Sequence, residues 1–156
     1  MMLKLSELLN PKYIKLDLNA KRKKEVIGEM VELLCQSGKI KNAPKIEKEI
    51  IQREKEGTTG IGGGIAIPHI RSKEISQTVM ALGRKKEGLE FDAIDEKPVN
   101  LIFLLLGPKG EESQHLKILC KLSRILHNTQ FKEILMRVTK EEEVVTIFRE
   151  QEEKEG

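Results

Sequence analysis

An apolar run at residues 99–106 most narrows the folds open to this chain. Every residue in it except Asn100 is aliphatic or aromatic, so a strand built from it is apolar on both faces. Such a strand belongs in the middle of a sheet, with cover on both sides. Further strands are predicted at residues 13–18, 65–67 and 78–84. In the first of these, Ile14, Leu16 and Leu18 are expected on one side.

Helical patterns separate the strands. Asn19 is expected to cap a first helix that Gly38 ends, and Pro44 suits the first turn of a second helix that reaches Glu56. Three more helices are predicted. Two span residues 113–128 and 129–137, and the third begins at the capping-box pattern of residues 139–142. The first of these three places its leucines at 116, 119, 122 and 126 on the core side.

Interspersed strands and helices predict an α/β fold, a single domain with a mixed β-sheet flanked by α-helices on both faces. A chain of 156 residues can bury such a core without a disulfide or a metal ion. We expect the domain to span residues 1–150. Residues 151–156 are almost all charged or polar and are expected to form a frayed tail.

Composition excludes several classes of function. The net charge is only +3 and aromatic residues make up 3% of the chain, which argues against a nucleic-acid binder. The longest apolar run is too short for a membrane-spanning helix, and the N-terminus shows no signal peptide. Cys35 and Cys120 lack metal-ligand spacing and are expected to be buried free thiols. These features favour a cytoplasmic protein.

A glycine-rich segment at residues 58–64 invites comparison with nucleotide-binding loops. No lysine followed by serine or threonine comes after the glycines, and Gly60 and Gly62 lack the third glycine of a dinucleotide-binding turn. Two interpretations remain: a sharp turn, or a loop whose backbone N–H groups approach an anion.

Three histidines are candidates for chemistry. His127 is interpreted as a residue at a helix end, and His115 at a helix start is usually structural. His69 follows a buried strand and a proline, where a site can form, so both a structural and a functional role stay open. Neutral imidazole could attack phosphorus and form a phosphohistidine. Arg53 suits phosphate, whereas Arg71 is interpreted as a solvated loop residue.

The residues Arg53-Glu54, Thr58 to Gly62 and Gly64 to His69 together form a long, ordered pattern. That pattern resembles the phosphorylation-site signature of type-2 EIIA domains, fructose–mannitol class, of the bacterial phosphoenolpyruvate-dependent phosphotransferase system. The resemblance extends through residues 91–106 to the helix that carries His115, and so covers nearly the whole chain.

The resemblance implies a phosphohistidine carrier. A histidine phosphocarrier protein, HPr or a paralogue, is the implied donor, and Nε2 of His69 is the implied acceptor. Arg53 aligns with the arginine that neutralises the phosphate, and His115 with a second active-site histidine. Thr59, Gly60 and Gly62 are expected to bind phosphate through their loop. No cofactor and no metal ion are expected. Ile70 departs from the small residue usual after the histidine, and its bulk could narrow the approach.

The subtype is less constrained than the family. The chain is expected to be a stand-alone protein, and residues 91–95 look most like the nitrogen-regulatory EIIA, which signals to transporters or sensors. The alternative is a sugar-specific EIIA that passes phosphate to an EIIB partner. Two more distant alternatives are a metal-dependent hydrolase, which lacks a third ligand beside His69 and His115, and a binding domain with a vestigial site.

Overall fold

The computed structural model describes residues 4–155, which form six helices and six strands. The helices are α1 (Leu5–Leu8), α2 (Lys23–Gln36), α3 (Ala43–Glu56), α4 (Glu112–Leu126), α5 (Thr129–Arg137) and α6 (Glu141–Glu155). The strands are β1 (Ile14–Lys15), β2 (Gly60–Gly62), β3 (Ile65–Ala66), β4 (His69–Ser72), β5 (Val79–Leu89) and β6 (Val99–Pro108). Within the described chain, every helix is too short or too polar to cross a bilayer.

The sheet is mixed and β6 is its centre, as the apolar run predicts. The strand order is β1-β5-β6-β3-β2. β4 pairs with the same side of β6 as β3 does, but with the C-terminal half of β6. β3 and β4 run parallel to β6, whereas β5 is antiparallel to it. The side chains of β6 at residues 101–106 are almost fully buried.

Helices cover both faces, which confirms the predicted fold class. On one face α2 and α3 pack on alternate residues of β5 and β6, such as Ala81 and Leu104. On the other face α1, α4, α5 and α6 pack on the intervening residues, such as Leu82 and Phe103. The two cores are separate because successive strand residues point to opposite sides of a sheet.

The first predicted strand is shorter than the sequence suggests. Residues 11–13 form a 3-10 turn, and only Ile14 and Lys15 pair with β5. Leu18 packs in the core on the α2–α3 face, opposite to Ile14 and Leu16. Asn19 does not cap α2, because that helix starts at Lys23; its N–H instead donates to the carboxylate of Glu29.

The predicted fraying of residues 151–156 is wrong for the residues described, since α6 continues to Glu155. Glu152 follows the core residues Val144 and Phe148 at intervals of four, so it faces inward and is 8% exposed. Its carboxylate accepts hydrogen bonds from the first two N–H groups of α1 at 2.7 and 2.9 Å. The ammonium group of Lys121 lies 2.8 Å away. Gly156 lies outside the described residues.

The inward face of α4 also differs from the prediction. Leu116 is 61% exposed, while His115, Ile118 and Ile125 are buried. Cys120 is exposed on the same helix, so its predicted burial is wrong, and Cys35 is half-buried. Leu122 and Leu126 are buried as predicted, and Leu119 packs against the core, so the core face of α4 consists of leucines, isoleucines and one histidine, with only Leu116 turned outward.

Candidate functional site

A cleft of about 1280 Å³ opens at the edge of the sheet, where β4 lies between α3 and α4. These helices cover opposite faces of the sheet, and side chains from both line the cleft at this edge. His69 lies at the start of β4, Arg53 in the last turn of α3 and His115 in the first turn of α4, and all three line the cleft. The structure therefore brings together three residues that are far apart in the sequence.

His69 is held so that one ring nitrogen faces the backbone. Its Nδ1 lies 2.7 Å from the carbonyl oxygen of Ile67, two residues earlier. Since a carbonyl only accepts, Nδ1 carries the proton and donates. The lone pair of a neutral ring is then on Nε2. The side chain is half-buried, which leaves the ring accessible from the cleft.

The electrostatic surroundings keep the His69 ring neutral. Burial lowers its pKa below the ordinary 6.5, and the guanidinium groups of Arg53 and Arg71 lower it further. The Ile67 carbonyl and the carboxylate of Glu54 oppose them. Because the pKa lies below its usual value, the unprotonated form, which is the nucleophile, prevails at neutral pH.

His115 is the more deeply buried of the two imidazoles, at 7% exposure. The ring centroids of His69 and His115 are 5.6 Å apart, and the planes are tilted by 50°. Neither nitrogen of His115 has a hydrogen-bond partner within residues 4–155. Burial, with smaller contributions from His69 and Arg71, lowers its pKa to about 4. This ring is therefore neutral at pH 7 and carries one unused donor and one unused acceptor.

Gly107 permits the close approach of His115 to the sheet. A β-carbon at Gly107 would lie 2.9 Å from Nδ1 of His115, well inside contact distance. The ring therefore lies directly against the backbone of β6. A side chain at this position would push the imidazole towards the cleft.

Arg53 has one anchored N–H and several available ones. Its Nη1 donates to the carbonyl oxygen of Gly57 at 3.0 Å, just past the end of α3. A guanidinium has five N–H donors in a planar fork, so most of them remain for an anion in the cleft. Arg53 is thus positioned by the helix end that Gly57 terminates.

The structure does not bring Thr59, Gly60 and Gly62 to the cleft. Thr59 is buried, and both its N–H and its hydroxyl donate to the carboxylate of Glu54 at 3.0 and 2.8 Å. The N–H of Gly60 donates to the hydroxyl of Thr58. The donors of Thr59 and Gly60 are already used, and residues 63–64 form the turn that joins β2 to β3, which favours the first of the two interpretations.

Two features of the site were not expected from the sequence. Arg71 is not in a loop: it lies in β4, lines the cleft, and its Nη1 is 2.7 Å from Oε1 of Glu112. The alternation of a strand, which places residues two apart on one face, is the signal that could have found it. Ile70, between His69 and Arg71, is 8% exposed and packs in the core on the α2–α3 face.

Within residues 4–155, no three His, Cys, Asp or Glu side chains are close enough together to hold a metal ion. The chemistry that the cleft offers is a neutral imidazole nucleophile between fixed cations and a second imidazole. That combination suits the transfer of a phosphoryl group.

Comparison with known proteins identifies relatives across nearly the whole chain. Residues 7–151 match the family model described as "Phosphoenolpyruvate-dependent sugar phosphotransferase system, EIIA 2". The chain is 33% identical over 148 residues to the fructose-specific EIIABC component of the phosphotransferase system of Bacillus subtilis, a match that takes in 95% of this chain but 23% of that protein.

Two nitrogen regulatory proteins also resemble the chain. It is 33% identical over 154 residues to the nitrogen regulatory protein of Escherichia coli, with 96% of this chain and 92% of that protein covered. The crystal structure of nitrogen regulatory protein IIA-Ntr from Neisseria meningitidis superposes with a TM-score of 0.86 at 37% identity. That superposition covers 92% of this chain and 98% of the other.

Proposed function

The chain belongs to the EIIA 2 family of the phosphoenolpyruvate-dependent sugar phosphotransferase system, as the resemblance predicted, and from this premise we propose that His69 is its phosphoryl-carrying residue. Members of this family are carriers in phosphoryl transfer. The observation that supports His69 most is the hydrogen bond from its Nδ1 to the Ile67 carbonyl, which leaves the Nε2 lone pair directed to a cleft that contains cations.

The proposed step is a displacement at phosphorus. The Nε2 lone pair of His69 forms the new P–N bond while the P–N bond of the donor's phosphohistidine breaks, and the donor nitrogen keeps that electron pair. The acceptor ring gains positive charge because Nδ1 retains its proton. The Ile67 carbonyl, 2.7 Å from Nδ1, stabilises this charge through the hydrogen bond.

Arg53 and His115 serve the transferred group from two sides. The remaining N–H donors of Arg53 bind the phosphoryl oxygens, on which negative charge is spread during transfer. The neutral His115 ring supplies one N–H to the same group, a donor that has no other partner within residues 4–155. Arg53 is anchored at Gly57 and the His115 ring is packed against Gly107, so both are held beside the cleft before the phosphoryl group arrives.

The proposed donor is a histidine phosphocarrier protein, HPr or a paralogue. We assign the chain to the nitrogen-regulatory type, whose phosphorylation state controls its binding to transport or sensor proteins, and the similarity to two nitrogen regulatory proteins supports this. The alternative is a sugar-specific EIIA that passes the group to an EIIB partner, which the similarity to the fructose-specific component favours. We place the reaction in the cytoplasm, since free cysteines suit a reducing compartment.

The test is incubation with phosphoenolpyruvate, Enzyme I and HPr, followed by intact-mass analysis. We expect one acid-labile phosphoryl group on the wild-type chain and none on His69→Ala. His127→Ala is the matched control, because it removes an exposed imidazole at the end of α4 and should be phosphorylated normally. Normal uptake by His69→Ala would overturn the proposal.

A second measurement separates the two subtypes. The phosphorylated chain is mixed with purified EIIB domains of the fructose and mannitol classes. The regulatory type predicts that the phosphoryl group stays on the chain or returns to HPr. Rapid transfer to an EIIB would instead establish the sugar-specific alternative.

A further inference from the structure

Arg71 lies on the same side of β4 as His69. The two residues are separated by one position in the strand, and the intervening Ile70 points into the core on the opposite side. Arg71 pairs in register with Gly107 of β6, the residue against which the His115 ring lies. The guanidinium therefore starts from a backbone position directly beside both imidazoles.

In the unphosphorylated protein this guanidinium is bound to a carboxylate. Nη1 of Arg71 lies 2.7 Å from Oε1 of Glu112, the first residue of α4. The side chains are 40% and 61% exposed. An ion pair this exposed to water is held weakly, so a stronger anion nearby can replace the carboxylate.

A phosphoryl group on His69 is such an anion. It carries a charge of about −1.5 to −2 and three strong acceptor oxygens, against the single charge of Glu112. Alternate residues of a strand are about 6.6 Å apart, a distance that an extended arginine side chain covers. The planar fork of Arg71 can bind two phosphoryl oxygens at once.

We propose that Arg71 is a second phosphoryl-binding arginine, beside Arg53, which Glu112 holds in the unphosphorylated protein and which the phosphoryl group on His69 takes over. This inference rests on the proposed function of His69. Arg71 leaves the carboxylate when the group arrives and returns to it when the group departs.

The exchange alters the charge on the α4 side of the cleft, which Glu112 and Leu116 both line. Glu112 loses its cation but keeps the N–H of Gly110, which donates to its Oε1 at 3.2 Å. A negative charge is thereby released one helical turn before Leu116, which is 61% exposed. A partner that covers Leu116 meets a neutral ion pair on the unphosphorylated chain and a free carboxylate on the phosphorylated one.

The experiment measures the equilibrium constant for phosphoryl transfer from phosphorylated HPr to the chain, by intact mass at several ratios. Arg71→Gln should lower this constant about fivefold or more, because a charged donor to the phosphoryl group is lost. Glu112→Gln should raise it about two- to fivefold, because Arg71 is already free. In Arg71→Gln/Glu112→Gln the constant should equal that of Arg71→Gln alone.

Lys73→Gln and Glu111→Gln are the matched controls. Both positions are exposed and lie outside the cleft. Lys73→Gln removes a positive charge near Arg71, as Arg71→Gln does, and Glu111→Gln removes a negative charge next to Glu112, as Glu112→Gln does. We expect changes below about twofold, since salt screens separated surface charges. Far-ultraviolet circular dichroism and thermal melting confirm that all variants fold.

Two results would overturn the inference. One is an Arg71→Gln constant within the range of Lys73→Gln. The other is a transfer constant that Glu112→Gln leaves unchanged in the wild-type chain, or that Glu112→Gln raises equally when Arg71 is already replaced. An equal rise would indicate a long-range charge effect, because such effects add, whereas an exchange through Arg71 requires Arg71. In either case normal phosphorylation of the wild-type chain, lost in His69→Ala, leaves the proposed function intact.

Discussion

Acid should destabilise this protein in part through His115. The ring is 7% exposed, and burial lowers its pKa from the ordinary 6.5 to about 4. Below pH 6.5 the unfolded chain binds a proton at this position that the folded chain does not, so the free energy of unfolding falls as the pH falls towards 4. The two pKa values differ by about 2.5, and at about 1.4 kcal/mol per pKa unit this difference corresponds to between about 3 and 4 kcal/mol.

The perturbation that isolates this contribution is His115→Gln, a polar side chain that does not titrate. Between about pH 7 and pH 5 the wild-type chain should lose about 2 kcal/mol of unfolding free energy through His115, which the variant should not lose. His69, whose pKa is also lowered, should leave a smaller loss of the same sign in both proteins.

Urea unfolding followed by circular dichroism at about pH 7, 6 and 5 gives the required free energies. The quantity compared is the change with pH, so any constant cost of the substitution cancels. The same change with pH in the wild-type chain and in His115→Gln would refute the reasoning. It would mean that the imidazole is protonated in the folded state or reached by water.

Three further substitutions test the site and the fold. Arg53→Lys keeps the charge but loses the planar fork, so phosphoryl transfer should slow while the melting temperature stays unchanged; a collapsed thermal transition would make Arg53 structural. Gly107→Ala places a methyl group 2.9 Å from Nδ1 of His115 and should slow transfer; a rate equal to that of the wild-type chain would contradict the contact. Glu152→Gln weakens the hydrogen bonds that join α6 to the start of α1, and it should lower the free energy of unfolding by about 1–3 kcal/mol while phosphorylation stays unchanged. An unaltered urea midpoint would mean that this buried carboxylate does not contribute to stability.

Hydrophobic patterning predicted the sheet core and most helices because those elements are stabilised by burial. Residues 99–106 have apolar side chains on both faces, and β6 lies at the centre. The helix Thr129–Arg137 forms over the predicted range, and the second helix begins near Pro44 and ends before Gly57 as its signals indicate. Local signals are sufficient to predict an element when the residues that start, end and bury it lie within or next to it in the sequence.

Hydrophobic patterning gave wrong predictions of burial where a polar residue is buried against residues that are distant in the sequence. The leucine spacing of α4 predicted Leu116 inside, but the core face carries His115, whose burial depends on the absence of a side chain at Gly107. The charged end of α6 looked solvated because the two N–H groups that Glu152 binds are at the other end of the chain.

The site was predicted in part. His69, Arg53 and His115 share one cleft, as expected, whereas Thr59 does not, because Glu54 captures its N–H and hydroxyl. Arg71 was missed because β4 has only four residues and few apolar ones, and pairing with β6 defines it as a strand.

The central claim is that the neutral ring of His69 offers its Nε2 lone pair to phosphorus. Nitrogen NMR of isotope-labelled histidine, before and after phosphorylation by HPr, tests it directly. The account predicts a proton on Nδ1 in the free protein, bound to the Ile67 carbonyl, and phosphorus on Nε2 afterwards. A proton on Nε2 of the free ring, or phosphorus on Nδ1, would contradict it.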